Sequence, residues 1–291
     1  MAIKLVALDL DDTLLAPNLR ISQESIRSIQ KVRQQKVRIT ISTGRMFLSA
    51  LPYAMQLGID VPLITYQGAL VKNSLSGEVL YYKPVPGELA YEIMNIFKDC
   101  GVHYHSYFDD RLVMETLSEE GKAYSLLAGV EATVVNDLAE SLETNDAMKI
   151  MAISRDEEKL LAMERHLKSS YADKLHITRS KPHFLEVMHP EADKSKALEV
   201  IARHYKIDRE EVMAIGDSYN DMEMIKWAGV GVAMGNAVQA LQDRADFVTA
   251  SNIEEGVAEA LHRFILDADP EASSNNGHDL NDEINRNYNK Y

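Results

Sequence analysis

Residues 3–10 form an almost unbroken apolar run, Ile3-Lys4-Leu5-Val6-Ala7-Leu8-Asp9-Leu10, that leads straight into acids. Without polar alternation, such a run predicts a β-strand covered on both faces, the situation of a strand inside a parallel sheet. Asp9, Asp11 and Asp12 stand at its end. A carboxylate there is costly to desolvate, and a second one two residues on adds repulsion. If the strand continues, Asp9 and Asp11 point to one face. If the chain turns at Asp11, one points inward and the other lies over it. Either arrangement asks for a cation.

The rest of the chain continues this grammar. Ser22 is a candidate N-cap for a helix carrying Ile26, Ile29 and Val32 on one side. Residues 37–42 read as a second strand ending in Thr43-Gly44-Arg45, and residues 61–65 as a third. This βαβαβ order predicts a parallel sheet with right-handed crossovers. After Lys194 and Lys196, Leu198, Ile201, Ala202 and Tyr205 fall at helical spacing. Residues 212–215 read as a strand ending in Gly216-Asp217, and residues 230–234 and 247–249 as two more, with a closing helix over 253–265. From about residue 84 to 188 helices mix with alternating strands, which predicts an inserted domain. The expected division is a core of 1–83 and 189–266, an insertion of 84–188, and a polar tail of 267–291 with too little to bury to be ordered.

Composition narrows the function. A formal net charge of −14 disfavours nucleic acid and anionic membrane as partners. An anionic substrate therefore needs a metal ion or placed lysines. Cys100 is the single cysteine, which excludes an internal disulfide and a cysteine metal cluster. With no signal-like run and no stretch of transmembrane length, the expected location is cytoplasmic. Nothing in the sequence addresses oligomeric state.

Ligands of open parallel sheets bind at the carboxyl ends of the strands. Four polar clusters occupy strand ends or helix starts: Asp9-Leu10-Asp11-Asp12-Thr13, Ser42-Thr43-Gly44-Arg45, Lys194 ahead of its helix, and Gly216-Asp217-Ser218-Tyr219-Asn220-Asp221. Each alone is weak; Thr43-Gly44 by itself reads as a turn. Together they resemble motifs I to IV of the haloacid dehalogenase-like hydrolases. The long insertion and the string Ile215-Gly216-Asp217-Ser218-Tyr219-Asn220-Asp221-Met222 are similar to the Cof-type, type IIB branch.

The resemblance implies an α/β fold, a Rossmann-like parallel-sheet core with an inserted α/β cap domain. It also implies magnesium-dependent (Mg2+) hydrolysis of small phosphorylated metabolites, sugar phosphates first, through an aspartyl-phosphate. By this resemblance Asp9 is the nucleophile, and Asp11 is the acid/base, also offering its carbonyl to the metal. Asp9 and Asp217 are metal ligands, and Asp221 lies either on the metal or on its waters. Thr43 and the amides of Gly44 and Leu10 bond the phosphoryl group. Lys194 neutralises phosphate and nucleophile, and Asn220 orients Lys194 or the phosphate. The family pattern selects Lys194 over Lys196, which reads as a solvated helix residue.

Three positions depart from the family's habit: Asp12 and Ser195 stand where glycine is usual, and Gln67 where many relatives have asparagine. His103 and His105, alternating on one strand, read as an exposed face of the insertion rather than a metal pair. Tyr104 and Tyr107 read as packing there, and Arg179, Ser180 and His183 as hinge residues or substrate contacts. A phosphomutase or phosphotransferase would use the same residues, and a phosphate-accepting regulatory module some of them.

Overall fold

The fold is organised by one row of strand ends. A computed structural model describes residues 2–267, so the expectation of disorder beyond Asp267 lies outside the described residues. Strand β1 (Leu5–Leu8), wholly buried, is followed by helix α1 (Gln23–Gln34), β2 (Arg38–Ile41) and α2 (Phe47–Leu57). Ser22 caps α1 as expected, its hydroxyl accepting from the Ser25 amide at 3.0 Å. Next come β3 (Leu63–Thr65), β4 (Leu70–Lys72) and β5 (Val79–Tyr82). The middle of the chain holds α3 (Gly87–Asp99), β6 (His103–Phe108), β7 (Arg111–Met114) and α4 (Glu119–Ala128). It continues through β8 (Ala132–Val134), β9 (Ile150–Ile153), α5 (Glu157–Tyr171), β10 (His176–Lys181) and β11 (Phe184–Met188). The last part holds α6 (Lys194–Tyr205), β12 (Val212–Gly216), α7 (Met222–Trp227) and β13 (Val230–Ala233). It ends with α8 (Gln239–Gln242), β14 (Phe247–Val248) and α9 (Gly256–Leu261).

A five-stranded parallel sheet runs β14-β13-β12-β1-β2. Its register places Leu8 beside Ile41 and Ile215. Asp9, Ser42 and Gly216 therefore leave the sheet side by side, with the Asp9 amide on Ile215 O and the Ser42 amide on Leu8 O. The strand expected over 61–65 is shorter and differently placed. β3 pairs with β4, and β4 with β5, in a separate antiparallel sheet, and β3 touches β2's extension through one parallel bridge, Ser42 to Ile64. The cause is local: Tyr66, Gln67 and Gly68 all have positive φ (52°, 57° and 95°), which reverses the chain into β4.

The six-stranded sheet has the order β10-β11-β9-β6-β7-β8 and is antiparallel except for β7–β8. Strand alternation sends Tyr104, Phe108, Ile150, Ala152, Leu185 and Val187 into a core with α3 and α5. The opposite face looks toward the parallel sheet. Among the described residues no helix is long and apolar enough to cross a membrane.

One contact ties the two sheets together at the helix nearest the site. The N-cap position of α2 is Met46, which has no side chain able to cap. Asp110, at the β6–β7 hairpin tip, takes that role from 63 residues away: its two oxygens accept from the Phe47 and Leu48 amides at 2.9 Å each. Tyr66 donates to the same carboxylate at 2.7 Å. Helix-start amides left unpaired are costly, and a carboxylate suits the dipole. Asp110→Ala is expected to lower the unfolding free energy by about 1–2 kcal/mol, measured by urea denaturation.

Candidate active site

After Leu8 the chain does not continue as a strand. Asp9 is extended (φ −64°, ψ 159°), and a helical turn over Leu10–Leu14 follows, interrupted by Asp12 at φ 60°. The two acids consequently diverge. Asp9 is buried and receives Lys194 Nζ at 2.6 Å. Asp11 is half-exposed and takes Arg45 in a two-pronged pair, Nε at 2.8 Å and Nη2 at 2.6 Å. The turn at Asp11 thus separates the carboxylates instead of stacking them. Leu10 has a wholly buried side chain, leaving only its main chain to meet a ligand.

Asp9 gains two other acidic neighbours. Oxygens of Asp9, Asp217 and Asp221 lie within 4.8 Å of one another. Thr13 Oγ1 donates to Asp217 Oδ1 at 2.8 Å. Asp221, fully buried, accepts Lys194 Nζ at 2.7 Å on one oxygen and the Asp217 and Ser218 amides at 3.1 Å each on the other. It therefore serves both as a turn cap and as a partner of the lysine. Gly216 permits this fold-back, since a Cβ there would lie 2.5 Å from the Asp221 carboxyl carbon.

Lys194 is the first residue of α6 rather than a residue ahead of it; Asp193 is the N-cap, accepting from the Ser195 and Lys196 amides. A lysine gains nothing from a helix N-terminus, so its place depends on the acids. Burial opposes its charge, but Asp221 and Asp9 outweigh burial and hold the ammonium well above the usual lysine range. Lys196 is exposed. Asn220 donates to Gln67 Oε1 at 3.0 Å, while the orienting of Lys194 falls to Asp9 and Asp221.

One ammonium beside two buried carboxylates, Asp9 and Asp221, and a half-buried third, Asp217, leaves excess negative charge. Burial raises Asp9 well above the ordinary carboxylate range; Lys194 counteracts this, and Asp221 and Asp217 add to it. Burial and Asp221 raise Asp217 to about 7. A compact set of carboxylate oxygens carrying uncompensated charge suits a hard divalent cation, which takes oxygen ligands. The donor set therefore fits the metal that the sequence implies.

Across from the acids a cavity of about 180 Å³ opens, with Asp9, Thr43, Gly44, Asp217 and Asn220 on the floor. Thr43 is buried, its hydroxyl accepting from the Arg45 amide at 3.2 Å. Gly44 has Gln67 packed where a Cβ would be.

The haloacid dehalogenase-like hydrolase family model matches residues 6–261. The chain belongs to this family. It is 30% identical over 273 residues to the 5-amino-6-(5-phospho-D-ribitylamino)uracil phosphatase of Bacillus subtilis (strain 168), covering 89% of this chain and 97% of that protein. A solved haloacid dehalogenase-like hydrolase from Bacteroides thetaiotaomicron superposes with a TM-score of 0.83 at 31% identity, over 90% of this chain and 99% of the other. A subclass IIB sugar phosphatase of the superfamily superposes at 0.77 with 27% identity, over 90% and 98%. This haloacid dehalogenase-like hydrolase is a phosphatase.

Several residues of the hydrolase's site carry no role that the family resemblance implies. Arg45 and Thr13 are the last residues of two of the four polar clusters; Arg45 lines the cavity, and Thr13 reaches the site through Asp217. Lys149 and Glu186 carried a different signal, a single charge inside the apolar strings Met148-Lys149-Ile150-Met151 and Phe184-Leu185-Glu186-Val187-Met188.

The histidines differ from expectation. His105 is fully buried between the rings of Tyr107 and Tyr124, because α4 covers that strand face. Burial, then His103 and Lys149, lower its pKa well below the usual range, so it is neutral. His103 is half-buried and contacts Ser118 at 3.0 Å. Tyr104 and Tyr107 are packing residues as expected. Arg179 pairs with Glu164 and Ser180 with Glu186, both at the cavity wall, while His183 packs on Phe184.

Gly68 holds the lysine's helix in place. At φ +95° it lies so close to α6 that a Cβ would sit 2.3 Å from Asp193 O and 2.8 Å from the Lys194 amide nitrogen. Gly68→Ala is expected to cost about 2 kcal/mol of stability through strain and displacement. The lysine moves with its helix, so kcat/KM on p-nitrophenyl phosphate should fall at least ~10-fold.

Proposed function

We propose that this phosphatase hydrolyses small phosphorylated metabolites, sugar phosphates or similar esters, with magnesium and through a phosphoaspartate on Asp9. The observation that carries the reading is Asp9 itself, buried at the cavity floor with one oxygen on Lys194 and two further acids beside it. Relatives named for a ribityl phosphate and a sugar phosphate substrate support the substrate class.

In this reading Asp9 and Asp217, with the Asp11 carbonyl, hold the metal, and Asp221 stands behind them. Bound by these residues, magnesium would supply positive charge to offset that of the phosphate and the acids. Lys194 screens the attacking carboxylate from the dianionic phosphate and keeps one Asp9 oxygen fixed. The free Asp9 oxygen attacks phosphorus in line, forming the acyl-phosphate bond as the ester P–O bond breaks. Asp11 leaves Arg45, takes up a proton from solvent, gives it to the departing oxygen, and then takes one from the water that attacks the phosphoaspartate. Its half-exposed side chain has room for that turn. The Thr43 hydroxyl and the Gly44 and Leu10 amides bond the transferring group, and Asn220 orients the phosphate from its place on Gln67.

The division of the chain is part of the proposal. Residues 1–83 and 189–266 form the catalytic core, and residues 84–188 form a cap whose sheet closes over the cavity and excludes water. A cytoplasmic location suits substrates of this kind.

Asp9→Asn is expected to lower kcat by on the order of 10³-fold or more with an unchanged circular dichroism spectrum. Substantial turnover in that variant would remove the nucleophile. A screen of phosphorylated metabolites should show turnover that EDTA abolishes and magnesium restores; full activity in EDTA would refute the metal.

A further inference from the structure

The wall facing Asp9 is the open side of the six-stranded sheet, and it contains a charge pair that the chemistry above does not use. Alternation along β9, β11 and the residue before β9 turns Lys149, Met151, Phe184 and Glu186 toward the cavity. Lys149 and Glu186 are only 2% and 3% exposed. Ser180 Oγ donates to Glu186 Oε1 at 2.6 Å. Lys149 Nζ donates to Gly44 O at 3.1 Å and lies 3.5 Å from Glu186 Oε2. That spacing attracts but makes no aligned hydrogen bond, and Oε2 is the one buried carboxylate oxygen among the described residues with no hydrogen-bond partner. For stability alone the arrangement is poor. A buried ion pair is often no better than apolar residues of equal size, and an unbonded carboxylate oxygen is worse.

We propose that Glu186 reads the organic part of the substrate, its Oε2 accepting a hydrogen bond from a hydroxyl of a polyhydroxylated phosphate ester. Lys149 donates to the oxygen of the neighbouring hydroxyl. This rests on the phosphatase reading of the site and specifies what that site selects. A hydroxyl both donates and accepts, so two adjacent hydroxyls match an acceptor and a donor set 3.5 Å apart. The pair is neutral overall, which suits an uncharged polyol or sugar; a second anion on the substrate would meet Glu186 and be repelled. Met151, Phe184 and Tyr124 on the same wall offer apolar contact to the carbon skeleton. The Lys149–Gly44 bond adds spacing. Gly44 belongs to the loop at the phosphate end, so the reading pair and the phosphoryl site are held at a set distance. An ester lacking hydroxyls leaves the buried Oε2 unbonded, the arrangement that discriminates most strongly.

The test compares kcat/KM for glucitol 6-phosphate with that for hexyl phosphate, an ester of equal chain length without hydroxyls. The wild-type protein is expected to prefer the polyol ester at least ~10-fold, and Glu186→Gln to lose most of that preference, chiefly through KM for the polyol. Because Glu186→Gln leaves Lys149 buried without its countercharge, the double variant Lys149→Met, Glu186→Leu provides a second arm of similar volume and no buried charge. It is expected to invert the ratio toward hexyl phosphate. A wild-type protein that hydrolyses both esters equally, or variants that keep the wild-type ratio, would overturn the assignment to Glu186 and leave the phosphatase reading standing. Failure of the wild-type protein on both esters and on p-nitrophenyl phosphate would remove that reading, and the assignment with it.

Discussion

Lys194 is the cation on which the acidic centre depends. Its ammonium lies 2.6 Å from Asp9 and 2.7 Å from Asp221, both buried. Without it the chain would hold two buried carboxylates against each other, with a half-buried third beside them and nothing to offset them, an arrangement costing several kcal/mol. The surrounding structure is arranged to deliver this one group. Asp193 caps the helix it begins, Gly68 lets the Tyr66–Gly68 turn press against that helix, and Gly216 makes room for Asp221 to fold back. Burial, and with it the neighbouring acidic charge that the lysine only partly neutralises, keeps the proton affinities of Asp9 and Asp217 raised. That remainder is what a divalent cation would answer.

Sheet register explains why these groups meet. In a parallel sheet adjacent strands end together, and residues just beyond the ends share one edge. Leu8, Ile41 and Ile215 are aligned, so Asp9, Thr43 and Asp217 emerge within reach of one another although over two hundred residues separate the first from the last. The strands could be read from their apolar runs, and the acids from their position at the run ends, because both are local properties of the chain. The resemblance to known hydrolases added which acid does what.

Other features depended on partners distant in sequence. Asp11 turned to Arg45 because one left-handed residue, Asp12, bends the chain after the strand. The fate of β3 was set by three consecutive positive-φ residues, only one of them glycine, which no apolar pattern reports. His105 looked exposed because its own strand alternates, yet α4 covers that face. Asp110 has no local mark at all; its role exists only because Met46 leaves α2 without a cap.

The two walls of the cavity solve opposite problems. The floor concentrates negative charge against a partial countercharge, which favours a cation and, with it, a phosphate dianion. The facing wall sets one positive and one negative group side by side, which gives no net pull on an ion and instead orients neutral polar groups. A ligand with a charged end and an uncharged hydroxylated end is complementary to both walls at once, in only one orientation. Lys149, bonded to Gly44 across the gap, makes the separation of the two walls a property of the closed molecule rather than of either sheet alone.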